Sequence, residues 1–178
     1  MKNVLRTVSA LGILAIASAA NAQVTNGGFE TGDFTGWTLT GTSYTSVTTG
    51  AAHSGTFFCY TGPISPATIG QNLTGVNAGD QVEVHFWLGL DNGGPNSFSA
   101  TLDGQALMIP LVNSGGFDYT EYVATVTVAN ANPALVFTVY DSPAYWYLDD
   151  VSAAVVPAPG AAAALGLGGL AAFRRRRA

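Results

Sequence analysis

The sequence predicts an all-β protein: a single β-sandwich (jelly roll), flanked by an N-terminal signal-peptide helix and a short C-terminal apolar helix. Three observations lead there. Residues 23–156 are rich in Gly, Thr, Val and aromatic residues and poor in the Lys, Arg, Leu and Glu that fill surface helices. Period-two alternation dominates the same span. Turn-forming clusters divide it into about nine short segments, the spacing of a sandwich. A single cooperative unit fits the length, because shorter subdomains would each bury too small a core. No fixed-period repeat suggests a propeller or solenoid.

Taken in order, residues 1–22 read as a secretory signal peptide. Lys2 and Arg6 make a positive n-region, residues 11–20 an apolar h-region, and Ala20-Asn21-Ala22 a small-x-small cleavage site, so the mature chain begins near Gln23. Ten apolar residues are too few to span a bilayer. The domain proper is placed at residues 23–154. Its first strands are expected at 37–42, 43–48, 56–60 and 69–73. In Gln81–Leu90 the row Val82, Val84, Phe86 and Leu88 opposes Glu83, His85 and Trp87. Asp103-Gly104 is a hairpin turn between strands at 97–102 and 105–111. Alternation returns at 119–128 and 135–139, and the last strand covers 146–155. Turns fall at Asn26-Gly27-Gly28, Thr61-Gly62-Pro63, Ala78-Gly79-Asp80, residues 91–95 and Ser114-Gly115-Gly116. Cys59 is the only cysteine and cannot form an internal disulfide, so it reads as a buried core residue and stability rests on packing or another crosslink.

Residues 155–178 form a separate tail. Val156-Pro157-Ala158-Pro159 precedes an apolar run at 161–173 and then Arg174, Arg175, Arg176 and Arg177. As a helix, 160–173 would reach only about 21 Å, short of the ~30 Å hydrocarbon core. The arginines would hold that end on the cytoplasmic side. Two readings stand: a thin permanent anchor, or a sorting signal held briefly in the membrane, cut near the prolines and discarded. The tripartite tail resembles the PEP-CTERM sorting signal of Gram-negative bacteria that make exopolysaccharide, with Ala158 where the commonest version has Glu. That resemblance implies processing by an exosortase, a membrane Cys protease or transpeptidase. It also implies export to the cell envelope, outer surface or extracellular matrix.

Charge narrows the function. The precursor holds six basic and eleven acidic residues, net −5, yet every Lys and Arg lies in the two terminal segments and every acid between Glu30 and Asp150. Nucleic acid is excluded as a partner, because nothing in the domain neutralises phosphate. Phosphorylated or carboxylate substrates lack their usual Lys or Arg clamp. Glu30 and the pair Asp149 and Asp150 interrupt apolar stretches, where charge is costly unless paired or metal-bound. Either they are solvated at strand ends, or they hold a hard cation, which outside the cell means Ca²⁺.

The opening NGGFETGDFTGW, the central HSG at 53–55, the stretch IGQNLTGVNAGDQVEVHFWL and the closing LDDVS resemble a carbohydrate-binding-module superfamily with a galactose-binding-domain-like jelly roll. The resemblance implies a structural Ca²⁺ tying the first strand to the last. By matching position its ligands are Gly28, Glu30, the backbone around His53, Ser54 and Thr56, and Asp149, with Asp150 if the register differs by one. It also makes Trp37 and Trp146 core landmarks. Glycan recognition needs aromatic platforms and polar side chains; Trp87 with Glu83 and His85, and Tyr60 beside its turn, are the candidates. Tyr119, Tyr122, Tyr140, Tyr145 and Tyr147 are further aromatics without a ranking.

The expected function is that of a non-enzymatic structural or adhesive protein of the surface or exopolysaccharide matrix. A module that binds a neutral glycan is the alternative, and a small glycosidase a third reading. His53-Ser54 has no G-x-S-x-G elbow, and His53 and His85 form no H-E-x-x-H motif. The implied partners are a signal peptidase, an exosortase-type enzyme and extracellular polysaccharide, with transient membrane insertion of the tail.

Overall fold

The computed structural model describes residues 24–157. The signal-cleavage residues Ala20, Ala22 and Gln23, the tail from Ala158 through Pro159 to Arg174, Arg175, Arg176 and Arg177, and both predicted terminal helices lie outside the described residues. Among the described residues every regular element is a strand, and no helix is long and apolar enough to cross a membrane.

Two antiparallel sheets make the sandwich. In the six-stranded sheet, β1 (Thr38–Thr40), β4 (Ala67–Asn72), β10 (Ala134–Asp141), β6 (Asn96–Leu102) and β7 (Gln105–Ala106) lie side by side, and β8 (Leu111–Val112) also pairs with β6. In the five-stranded sheet the order is β2 (Thr45–Thr49), β3 (Phe57–Thr61), β11 (Trp146–Val156), β5 (Gln81–Leu90) and β9 (Phe117–Thr127). The predicted alternation is realised directly. Val82, Val84, Phe86 and Leu88 of β5 point inward and are 0–1% exposed, facing Phe98 and Leu102 of β6 and Leu135, Phe137 and Val139 of β10. Phe86 is the hub, with ring centroids 5.2 Å from Phe137, 5.3 Å from Tyr122 and 6.2 Å from Phe98. Burying each such Leu or Phe stabilises the fold by roughly 1.5–3 kcal/mol.

The two landmark tryptophans close the core. Trp146 is fully buried and donates its indole N–H to the Tyr140 carbonyl at 3.0 Å. Trp37 stacks on Phe29 at 5.4 Å and donates to the Asn26 carbonyl at 3.0 Å, sealing the end where the chain enters. Cys59 is a buried free thiol, pushed up in pKa chiefly by burial.

The Asp103-Gly104 hairpin forms as expected, with both residues at positive φ (53° and 75°), the conformation a two-residue turn of this type requires. The strand expected at 105–111 does not run through. Leu107 turns into the core and donates its N–H to Ala100, while Pro110 has no N–H to give a ladder, so only the two-residue strands β7 and β8 remain. A bulge in β11 went unanticipated. Its register with β5 jumps between Asp149 and Ser152, Asp150 takes φ 47°, and the Val151 N–H is taken by the Gly27 carbonyl at 3.0 Å.

Asp141, at the end of β10, is fully buried and neither carboxylate oxygen has a hydrogen-bond partner. Burial raises its pKa; nearby N–H groups of Ala144 and Ser142 offset part of that, and the Asp91 charge adds to it. With the folded-state pKa raised, the unfolded chain releases this proton first. The folded state therefore loses stability as pH rises from about 4 through the folded pKa, and the loss then stays constant. The Asp141→Asn variant is expected to escape that loss. Between pH 3.5 and pH 7 its stability relative to the parent should shift in its favour, read from urea melts at the two pH values.

Candidate functional site

The outer face of the five-stranded sheet carries the polar chemistry. On β5 that face presents Glu83, His85, Trp87 and Gly89, and the register places Tyr147 of β11 beside Gly89, Asp149 beside Trp87 and Ser152 beside His85. On β9 it adds Tyr119, Glu121 and Val123. Two sets of predicted residues separate here, and a groove lies beside them.

The first set forms an acidic junction. The bulge turns Asp149 and Asp150 toward the loop at 53–57. Asp149 is fully buried; its Oδ2 accepts the His53 N–H at 2.8 Å and lies 3.4 Å from the Ser54 N–H, while its Oδ1 accepts the Asp150 N–H at 2.8 Å. Burial, with the Asp150 charge as a lesser cause, pushes the Asp149 carboxyl up to about 6 against these hydrogen bonds. Asp150 meets the His53 ring at 2.6 Å and accepts the Ser54 hydroxyl at 2.8 Å. Glu30 accepts the Thr56 and Phe57 N–H groups, each at 2.9 Å. One glycine makes the close approach of Glu30 feasible. Gly55 sits at φ 64°, and a Cβ there would lie 2.4 Å from Glu30 Oε1. A Cβ on Gly28 would fill a cradle 3.4 Å from Asp150 Oδ1, 3.8 Å from Asp149 Oδ1 and 3.8 Å from Glu30 Cγ. Gly28, Glu30, Ser54, Asp149 and Asp150, predicted as one site from distant parts of the sequence, are thus brought together. Among the described residues no three His, Cys, Asp or Glu side chains close into a metal cluster. The donors around Gly28 are all oxygen and no Lys or Arg lies among residues 24–157, a composition that fits a hard cation.

The second set is the predicted cleft, whose members are engaged by neighbouring side chains. His53 lies flat on Trp87, centroids 3.7 Å apart and 15° between planes, so that indole face is covered. His85 bridges Glu121 at 2.9 Å and Glu83 at 3.1 Å, and these hydrogen bonds raise its pKa, Glu121 first. Tyr60 packs edge-on against Tyr145 at 5.1 Å.

The groove itself, about 600 Å³, is lined by Ala51 on the covering loop, Leu90, Asp91, Asn92, residues 116–118, Tyr119 and Tyr147. Tyr119 and Tyr147, centroids 6.4 Å apart, form an aromatic surface across it. Gly89 lies between their strands, with the Tyr147 ring and the Tyr119 backbone each 3.5 Å from where a Cβ would sit. The Tyr147 hydroxyl donates to Asp91 at 2.5 Å; burial first, and that bond second, push the phenol up to about 12, so it stays a donor at neutral pH. The Tyr119 hydroxyl is buried without a partner and burial raises its pKa as well. The far wall is rigid. Buried Asn96 donates to the Gly93 and Ser114 carbonyls at 2.7 and 2.9 Å and accepts the Ser114 N–H, and Asn92 accepts the Gly116 N–H. Sequence reasoning noted Tyr119 and Tyr147 without ranking them and read residues 91–95 as a turn only. The available signal was that Gly89 and Tyr147 both fall on the polar side of their alternation.

An aromatic surface edged by carboxylates and an amide is what a sugar requires, and the comparisons agree at the level of family and fold. No curated protein matches the chain. Among solved structures, TmCBM61 in complex with β-1,4-galactotriose superposes with TM-score 0.61 at 16% identity, covering 77% of this chain and 100% of that one. The CBM22-1 xylan-binding domain of Paenibacillus barcinonensis Xyn10C gives 0.53 at 19% identity, covering 74% and 92%. The K3 cleaved adhesin domain of Lys-gingipain from Porphyromonas gingivalis gives 0.59 at 13% identity, covering 77% and 99%. Residues 21–144 match the model of the family described as carbohydrate binding domain, and the chain belongs to that family.

Proposed function

We propose that the protein is a non-catalytic carbohydrate-binding module that takes a neutral glycan in the groove formed by Tyr119, Tyr147, Asp91, Asn92 and Asp118. The observation that carries this reading is the pairing of two tyrosine rings with acceptor-rich side chains in a preformed concavity. Pyranose C–H faces pack on the rings and the hydroxyls bond to Asp91, Asn92 and Asp118. With eleven acids and no Lys or Arg between residues 24 and 157, anionic glycans are repelled. Family membership supports this module over the purely structural or adhesive role. A hydrolytic role finds less support, since Asp91 is already engaged by the Tyr147 hydroxyl. On a glycan array the protein should bind neutral glycans and not uronic-acid polymers. Tyr147→Ala or Tyr119→Ala should weaken binding by roughly 10- to 100-fold, and reducing-sugar release from the bound polymer should stay at background. Unchanged binding by both variants would remove the groove from consideration.

The acidic junction is read as a structural Ca²⁺ site. Glu30, Asp149 or Asp150 and backbone carbonyls near Gly28 and the 53–56 loop would hold the ion, which when bound supplies the positive charge that no Lys or Arg in the domain provides. The Gly28 cradle and the buried Asp149 support it. Chelator should then lower the melting temperature of the mature protein by several degrees, since calcium at about 100 times its Kd stabilises by roughly 2.7 kcal/mol, and Glu30→Ala should abolish the sensitivity. A melt indifferent to chelator contradicts it.

Export, envelope or matrix localisation and tail processing rest on the terminal segments alone. Intact-mass measurement of the secreted protein should find Gln23 at or near its start and Arg174, Arg175, Arg176 and Arg177 missing; arginines retained on the mature protein would favour the anchor.

A further inference from the structure

A second concavity, about 180 Å³, opens where the loops after β1, β3 and β10 meet, lined by Tyr44, Gly62, Ile64, Ser142, Pro143 and Tyr145. It shares no lining residue with the groove. Its inner wall is fixed: Tyr145 packs edge-on against Tyr60 at 5.1 Å, and a Cβ on Gly62 would come within 2.7 Å of the Tyr145 ring and 2.4 Å of the Ala144 carbonyl. Only glycine lets the ring lie this close to the loop. The Gly62 N–H, in turn, is bonded to the Tyr44 carbonyl at 3.0 Å, which ties the outer wall to the inner one.

The outer wall is unusual on two counts. Tyr44 is 59% exposed and Ile64 62% exposed, so folding gains little from either. Tyr44 also sits at φ 56°, a left-handed conformation that is strained for a bulky side chain. An exposed aromatic held in such a conformation points to a role outside the core. The slot's chemistry is apolar walls (two phenol rings, a proline and an isoleucine) with hydroxyls from Tyr44, Ser142 and Tyr145, and no charged side chain lines it. That matches a neutral sugar ring, and the volume lies below the ~300–1,000 Å³ of pockets that enclose larger ligands.

We propose that this slot is a second glycan site, separate from the groove and sized for a single neutral sugar unit, so that one domain can hold two polysaccharide segments. The inference rests on the groove reading for its ligand class. Two weak sites on one rigid body would raise avidity for a polymer and let the domain bridge neighbouring chains.

Calorimetric titration of the full-length protein with β-1,4-galactotriose and with xylotriose tests it. The proposal requires close to two sugars bound per chain. Tyr44→Ala and Ile64→Asp should each remove one of them, or weaken it at least about tenfold, and leave the other unchanged, while Tyr147→Ala removes the complementary one. Both slot residues are exposed, so the melting temperature of these variants should match the parent. One site per chain, abolished by Tyr147→Ala and untouched by Tyr44→Ala and Ile64→Asp, would overturn the second site and leave the groove standing. Binding of a proline-rich peptide to the slot, with no sugar, would overturn it equally. Absence of any sugar binding by the parent would overturn the groove reading as well.

Discussion

The outer face of the five-stranded sheet is organised by one constraint: a carboxylate, Asp149, buried with no Lys or Arg in the domain to meet it. Burying such a charge is costly unless hydrogen bonds or a cation compensate. Here the loop at 53–57 supplies backbone N–H groups, and to reach them the last strand must bulge, which sets Asp150 at positive φ and turns its side chain to His53 and Ser54. The loop so held lays His53 over Trp87 and brings Ala51 to the groove margin. Glu30 grips the same loop from the other side. The first and last segments of the domain are therefore coupled through one loop, and the groove's near wall depends on that coupling.

The fold was legible in the residues because alternation and turn chemistry agree. Val82, Val84, Phe86 and Leu88 could point inward together only on a strand with one buried face, and Asp103-Gly104 could hardly be anything but a hairpin. The acidic junction was legible through its charge imbalance and through the resemblance of its motifs, since Glu30 and Asp149 had no Lys or Arg to pair with. The groove was not legible. Its residues come from β5, β9, β11 and three loops, and their meeting depends on which faces point outward and on how far the loops reach. Trp87 shows the same limit: the alternation placed it on the outer face, but nothing local told that His53, thirty-four positions earlier, would stack on it.

The missing basic residues act on specificity as well as on stability. A sugar site built with Arg or Lys would also accept uronic acids and phosphorylated glycans. In this domain hydrogen-bonding power at the groove comes from Asp91, Asn92 and Asp118, acceptors that sugar hydroxyls can satisfy by donating. Tyr147 supplies a donor, but its proton is already committed to Asp91. The arrangement favours ligands that bring many donors and no negative charge, which is the description of a neutral polysaccharide.

The two outer faces of the sandwich sharpen that argument by contrast. On the six-stranded sheet the register sets Thr38, Gly70, Val136 and Thr101 side by side, and next to them Thr40, Thr68, Thr138 and Ser99. A shallow depression of about 270 Å³ lies there, lined by threonines, Gly70, Gln71, Asn72, Ala134 and Val136, without an aromatic ring. β-branched hydroxyl residues suit a solvated sheet face and need no ligand to account for them. On the five-stranded sheet, by contrast, Tyr60, Trp87, Tyr119 and Tyr147 stand on the outer side, where the core takes no benefit from them. Of these, Trp87 is capped by His53 and Tyr60 is packed against Tyr145, which leaves Tyr119 and Tyr147 to line the groove. The asymmetry between a plain threonine face and an aromatic face with an acidic rim is what supports placing the proposed groove on the five-stranded sheet rather than on its partner.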